Sequence, residues 1–210
     1  MLKRILTRIA PLALLAAPAW PQSAELGISA GYGSLGGGDI STSEFAATAT
    51  QATYSLRNGV RVGGRMGFNS FRFVSHEASY AYQHGGLDFL ASGPDGSQAG
   101  EFGTVRAHHL YYNALLHAAP AGFRVRPFVT GGGGFSSFFL PGISSFSGGG
   151  ETKFGYNYGG GIKLDILQQY GIRLDVRNHV TGKPFDRYLP NVEGTLQNTE
   201  FSVTFYVLLG

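Results

Sequence analysis

The stretch FGYNYGGGIKLDILQQYGIRLDVRNH, residues 154–179, constrains the fold more than any other part of the chain. Every second residue from Phe154 is large and apolar or glycine: Phe154, Tyr156, Tyr158, Gly160, Ile162, Leu164, Ile166. The interleaved set, Gly155, Asn157, Gly159, Gly161, Lys163 and Asp165, is small or polar. After a break at 167–169 the alternation resumes, with Tyr170, Ile172, Leu174 and Val176 against Gly171, Arg173, Asp175, Arg177 and His179. Period-two alternation marks strands with two chemically different faces. Here the apolar face ends in aromatics, while the polar face carries glycine and opposite charges at matching depth. That is the pattern of a barrel with lipid outside and a small polar lumen inside.

Past the N-terminus no apolar run is long enough for a helical membrane span. Residues 1–24 have the three-part grammar of a secretory leader. Lys3, Arg4 and Arg8 precede an apolar run from Ile9 to Ala17, and small residues follow, with cleavage expected at Ala19 or Ala24. Residues 25–210 are then one barrel domain. The formal charge of +3 belongs to the leader, because 16 Lys and Arg less those three match the 13 Asp and Glu. Nucleic acid is therefore not an expected partner. The chain has no Cys and hence no disulfide framework, so its sheet edges need closure or cover of another kind.

Alternation predicts eight strands, at about 25–33, 59–69, 73–84, 104–117, 123–136, 154–166, 170–179 and 199–209. The connections run long, short, long in strict order, as in outer-membrane barrels with short periplasmic turns. Residues 85–103 contain Gly-Pro-Asp-Gly and read as a loop. Residues 45–55 keep the parity of the second strand, so they extend it or form an extra hairpin, giving ten strands. The fold class is all-β: an eight-stranded antiparallel up-and-down transmembrane barrel preceded by a cleaved signal peptide.

Parity assigns Tyr80, Tyr82, Tyr112, Tyr156, Tyr158, Ile162, Leu164, Ile172, Leu174, Val176, Phe201, Val203 and Phe205 to lipid. It assigns Arg61, Arg65, Arg124, Arg126, Lys163, Arg173 and Arg177 to the lumen, with Glu77, Asp165, Asp175 and Glu200. Enclosed charges must pair or bind water, because an isolated one costs several kcal/mol. With the hairpin turn centred near Gln168, Asp165–Arg173 and Lys163–Asp175 are the expected contacts. The lumen is then a plug of salt bridges, or a narrow pore whose excess cations favour anions.

Two motifs fail on context. Gly27-Ile-Ser29-Ala-Gly31 matches a nucleophile elbow and Gly31-Tyr-Gly33-Ser-Leu-Gly36 a dinucleotide fingerprint, yet neither opens a helix. His76, His84, His108, His109, His117 and His179 show no metal-ligand spacing. No catalytic residue, metal or cofactor is assigned. His108, on the lipid side, is the one candidate for a lipid-modifying enzyme.

The blocks RPFVTGGGGF (126–135), FGYNYGGGIK (154–163) and RLDVRNHVTGKP (173–184) resemble small outer-membrane β-barrel proteins of the OmpA-like and opacity-protein type. The likeness is nearest to the barrel family common in acidobacterial genomes. It implies a Gram-negative outer membrane, with its lipid and lipopolysaccharide and the insertion machinery as partners; no surface ligand is implied. Such chains usually end on an aromatic residue. This one ends Leu208-Leu209-Gly210, so Phe201, Phe205 and Tyr206 would carry the insertion signal. The leading function class is a non-enzymatic barrel for envelope integrity or surface contact. The alternatives are a narrow anion-leaning channel or small-ligand carrier, and a lipid-A-modifying enzyme.

Overall fold

A computed structural model describes residues 23–36, 39–45, 50–94, 96–140, 150–186 and 191–209. The expected leader lies outside them, except that Ser23 and Ala24 already belong to the first strand. The strands are β1 (Ser23–Gly36), β2 (Asp39–Phe45), β3 (Thr50–Asn69), β4 (Val74–Gly93), β5 (Gly96–His117), β6 (Val125–Phe139), β7 (Glu151–Asp165), β8 (Tyr170–Gly182) and β9 (Thr195–Leu209). All neighbours are antiparallel, and β1 pairs with both β9 and β3. Eight strands therefore close a barrel with no free edge along its wall. The remaining strand, β2, pairs only with the outer part of β3.

Two expectations change at the loop end. Residues 85–103 are not a loop: β4 and β5 stay paired up to Gly93 opposite Gly96. The Gly-Pro-Asp-Gly signal falls where the strands reverse, between the paired Gly93 and Gly96, and not within a long irregular segment. Residues 50–55 extend β3, and they also pair with β2, so both readings of that region hold in part without adding strands to the barrel. A membrane crossing takes about 9–11 residues per strand. With 20, 20 and 22 residues, β3, β4 and β5 project well past such a crossing.

The short connections at 70–73, 118–124 and 166–169 share one end of the barrel with both chain ends of the described wall, Ser23 and Leu209. The outward face carries a belt of exposed apolar residues, among them Ile28 (72% exposed), Val62, Leu110, Val129, Leu174 and Val203. Phe71, Phe73, Phe123 and Tyr170 ring the turn end; Tyr32, Phe135, Phe154 and Tyr156 ring the other side of the belt. Inside, small residues on β1 make space. A Cβ on Gly27 would stand 2.7 Å from Thr204 Cγ2, and one on Gly33 would stand 2.5 Å from the Gln83 amide. Long side chains from β3 and β4 can thus reach over β1 towards β8 and β9.

A cation in the middle of the belt separates this arrangement from an inverted one. In lipid vesicles, Leu174→Arg should cost about 2–4 kcal/mol. Leu90→Arg, exposed on the projecting β4, should stay within about 0.5 kcal/mol. Urea unfolding followed by circular dichroism measures both, and equal costs would mean that the belt does not meet lipid.

Candidate functional site

The lumen contains six buried cations, Arg61, Arg65, Arg126, Lys163, Arg173 and Arg177, and four buried carboxylates, Glu25, Glu77, Asp175 and Glu200. At its centre, Glu77 and Asp175 share the same three arginines. Arg173 donates to Glu77 at 2.5 Å and to Asp175 at 2.7 Å. Arg177 donates to Glu77 at 2.9 Å and to Asp175 at 3.1 Å. Arg65 lies 3.4 Å from Glu77 and 3.5 Å from Asp175. Arg177 and Asp175 are almost wholly shielded from solvent, at 1% and 0% side-chain exposure. Each charge-assisted contact is stronger here than in water, and each would be costly to leave unmade.

Towards the loop end, Glu200 accepts Arg65 at 2.6 Å, His179 at 2.8 Å and Ser202 at 2.7 Å, and pairs with Arg61 at 3.2 Å. Beyond it, Ser136 joins His109 at 2.8 Å and Tyr111 at 3.0 Å. Asn198 donates to Gln83 at 2.7 Å. Towards the turn end, Glu25 accepts Lys163 at 2.5 Å and Asn69 at 2.9 Å. The Phe128 ring lies 4.3 Å from the Arg173 guanidinium, and Asn157 donates to Asn113 at 2.7 Å to fill the wall beside Glu77.

Above the polar column sits an apolar layer built by the projecting strands: Ile40, Leu56, Leu87, Val105, Ala107, Phe138, Leu140, Phe185 and Leu196, all buried. Phe185 adopts φ 71°, a left-handed conformation costly for a bulky side chain. Its N–H is held by the Glu151 carboxylate, which also pairs with Lys153 at 2.6 Å. Lys153 in turn pairs with Asp186 at 2.6 Å, so β7 fixes the segment that inserts Phe185.

Several expected placements need correction. Arg124 is exposed at the turn end and lies outside the network. Asp165 is half-buried at the rim, where it accepts the Tyr206 hydroxyl rather than Arg173. Lys163 pairs with Glu25, not Asp175, because the observed register sets Lys163 opposite Arg173 and Asp165 opposite Gly171. Neighbouring positions on β7 and β8 thus bring like charges together, and each cation finds its partner across the lumen. The other expected lumen residues, Arg61, Arg65, Glu77, Arg126, Arg173, Asp175, Arg177 and Glu200, lie inside the barrel.

On the outside, Tyr80, Tyr112, Tyr156, Tyr158, Leu174, Val176, Phe201, Val203 and Phe205 are exposed, and Tyr82, Ile162, Leu164 and Ile172 are half-covered by neighbours on the same face. Sequence reasoning missed Glu25, although its parity with Gly27 and Ser29 would have placed it inward. The alternation puts His179 and Asn157 on the inward face but does not show that His179 binds Glu200 or that Asn157 binds Asn113. His108 faces outward; its Nδ1 meets the Tyr80 hydroxyl at 2.7 Å. Ser137 stands opposite it, yet the Ser137 hydroxyl bonds Thr152 at 2.7 Å. No nucleophile–base pair is assembled there. Among the described residues no group of His, Asp and Glu could hold a metal ion.

The description "Outer membrane protein beta-barrel domain" names the family that matches residues 8–207. No curated protein matches. Among solved structures, the chain is similar to Neisserial surface protein A (NspA), with 10% identity, a TM-score of 0.58, and coverage of 88% of this chain and 96% of that one. It is also similar to the outer membrane protein OprG from Pseudomonas aeruginosa, with 11% identity, a TM-score of 0.52, and coverage of 89% and 94%. At such identities these two report the fold alone.

The crossing contacts predict an order of stabilities. Asp175→Ala strands buried arginines and should cost about 3–5 kcal/mol. Asp165→Ala loses one rim hydrogen bond and should cost about 0.5–1.5 kcal/mol. Urea titrations of the two variants in the same lipid check the order; equal losses would mean a wet lumen.

Proposed function

Because the chain belongs to the outer-membrane protein β-barrel domain family, we propose that it is a non-enzymatic envelope barrel, sealed along its axis and acting through its outer extension. The short turns face the periplasm and the long connections face outward, as the family architecture requires. The exposed belt meets lipid. The leader is removed after Ala19, a site supported by the pairing of Ser23 with Asn69 and of Ala24 with Phe68 and Leu209.

The observation that carries the proposal is a double seal. The cluster of Glu77 and Asp175 with three arginines fills the lumen, and the apolar layer around Leu87, Phe138 and Phe185 covers it on the outer side. An eight-stranded barrel has an interior that side chains just fill. Both seals lie across the axis of the barrel, which argues against the channel and carrier readings. The projecting sheet of β2 to β5 then provides surface for contact at the cell exterior, with Arg57 bridging Asp88 and Glu101 across it. The enzyme reading has no support from the His108 surroundings.

Planar bilayers containing the purified barrel test this directly. The expected trace shows no stable conductance steps, and lipid A from cells expressing the protein keeps an unchanged mass spectrum. Reproducible single-channel steps would replace the sealed barrel with a channel. A new lipid A mass would replace it with an enzyme.

A further inference from the structure

Three cations stand in one row across neighbouring strands: Arg126 on β6 faces Lys163 on β7, which faces Arg173 on β8. Like charges directly opposite one another are destabilising unless each is compensated. Lys163 has Glu25, and Arg173 has Glu77 and Asp175. Arg126 is different. It is 4% exposed, its Nε donates a long 3.5 Å bond to the Ala119 carbonyl, and its Nη2 is buried without an acceptor. Among the described residues it is the one buried cation with no carboxylate within 4.0 Å. A guanidinium does not escape this by losing its proton.

Arg126 lines a cavity of about 480 Å³ at the periplasmic mouth, with Arg124, Asp165, Leu167, Gln168 and Leu208 among the other walls. Arg124, two residues before it, is exposed and forms no ion pair among the described residues. The carboxylate on the wall, Asp165, is engaged by Tyr206. The cavity therefore presents two uncompensated guanidinium groups, one fixed in the wall and one at the rim.

We propose that this mouth is a binding site for a small oxyanion-bearing molecule of the periplasm, with its phosphate or carboxylate group on Arg126 and Arg124 closing over it. Arginine matches both groups through paired N–H donors. The volume falls within the range of small-molecule sites and admits more than a bare ion. The site is separate from the seals above it, and it stands whether or not the lumen conducts.

The test uses isotope-labelled mature barrel in lipid nanodiscs, titrated with inorganic phosphate and with acetate against chloride at constant ionic strength. Amide signals of Ala121, Gly122, Arg126, Asp165 and Leu167 report binding. Saturable shifts confined to these residues are expected, and Arg126→Gln should weaken the binding by about tenfold or more. Phosphate should also raise the urea midpoint of the unmodified barrel but not that of Arg126→Gln. Should that variant fail to give a heat-modifiable folded band, Arg124→Gln decides: an affinity loss of about threefold or more upholds the site, and unchanged affinity overturns it. Saturation with phosphate alone identifies a phosphate-bearing ligand, and with acetate alone a carboxylate. No saturable shift with either anion, or equal shifts in Arg126→Gln, would overturn the proposal.

Discussion

The sharing of Arg65, Arg173 and Arg177 between Glu77 and Asp175 is the contact on which the rest of the structure depends. Its members come from the paired strands β3 and β4 and from β8, which pairs with neither and lies on the opposite side of the lumen. Backbone pairing alone would close a barrel of these strands, but it would leave the centre open to water. The charges join opposite walls, and they can do so because β1, lying between β3 and β9, turns Gly27, Ser29, Gly31 and Gly33 inward. Small residues on one strand and long cations on its neighbours are thus two halves of a single device. Such clusters give specificity more dependably than raw stability, since the desolvation cost of each ion offsets much of the attraction.

The same device explains why the wall is selective about charge. Each buried cation around the centre and around Glu200 has a carboxylate partner, and this pairing ends at the turn-end rim, where Arg126 stands beside the paired Lys163. On the outer side, charge gives way to the apolar layer held by Phe185 and by the Glu151–Lys153–Asp186 chain of ion pairs. The lumen is therefore asymmetric: polar and open at the mouth, ionic at the centre, apolar at the top.

Much of the wall was legible in the sequence, because the side-chain period of a strand is two and each face carries one kind of residue. The hairpin of β7 and β8 came within one residue of its observed register, since a short turn leaves little freedom. The partners of the charges were not legible. Asp165 and Arg173 are close in sequence, but closure of the barrel sets Arg173 against Glu77, which lies 96 positions away. Only the pairing of β1 with β3 fixes which residues share a height across the lumen. The projection of β4 and β5 was hidden for another reason: glycine-rich, weakly alternating strands look like loops. The apolar layer was hidden because its nine residues come from six strands and two connecting segments, one or two from each.

The claim that the ion pairs cross the lumen and hold opposite walls together is tested most directly by a double-mutant cycle. Glu77→Gln, Arg173→Met and the pair together would be compared by urea unfolding in one lipid. A coupling energy of about 1 kcal/mol or more is predicted for these partners from β4 and β8. Additivity within about 0.3–0.5 kcal/mol would contradict the account, because it would mean that the two charges are hydrated independently.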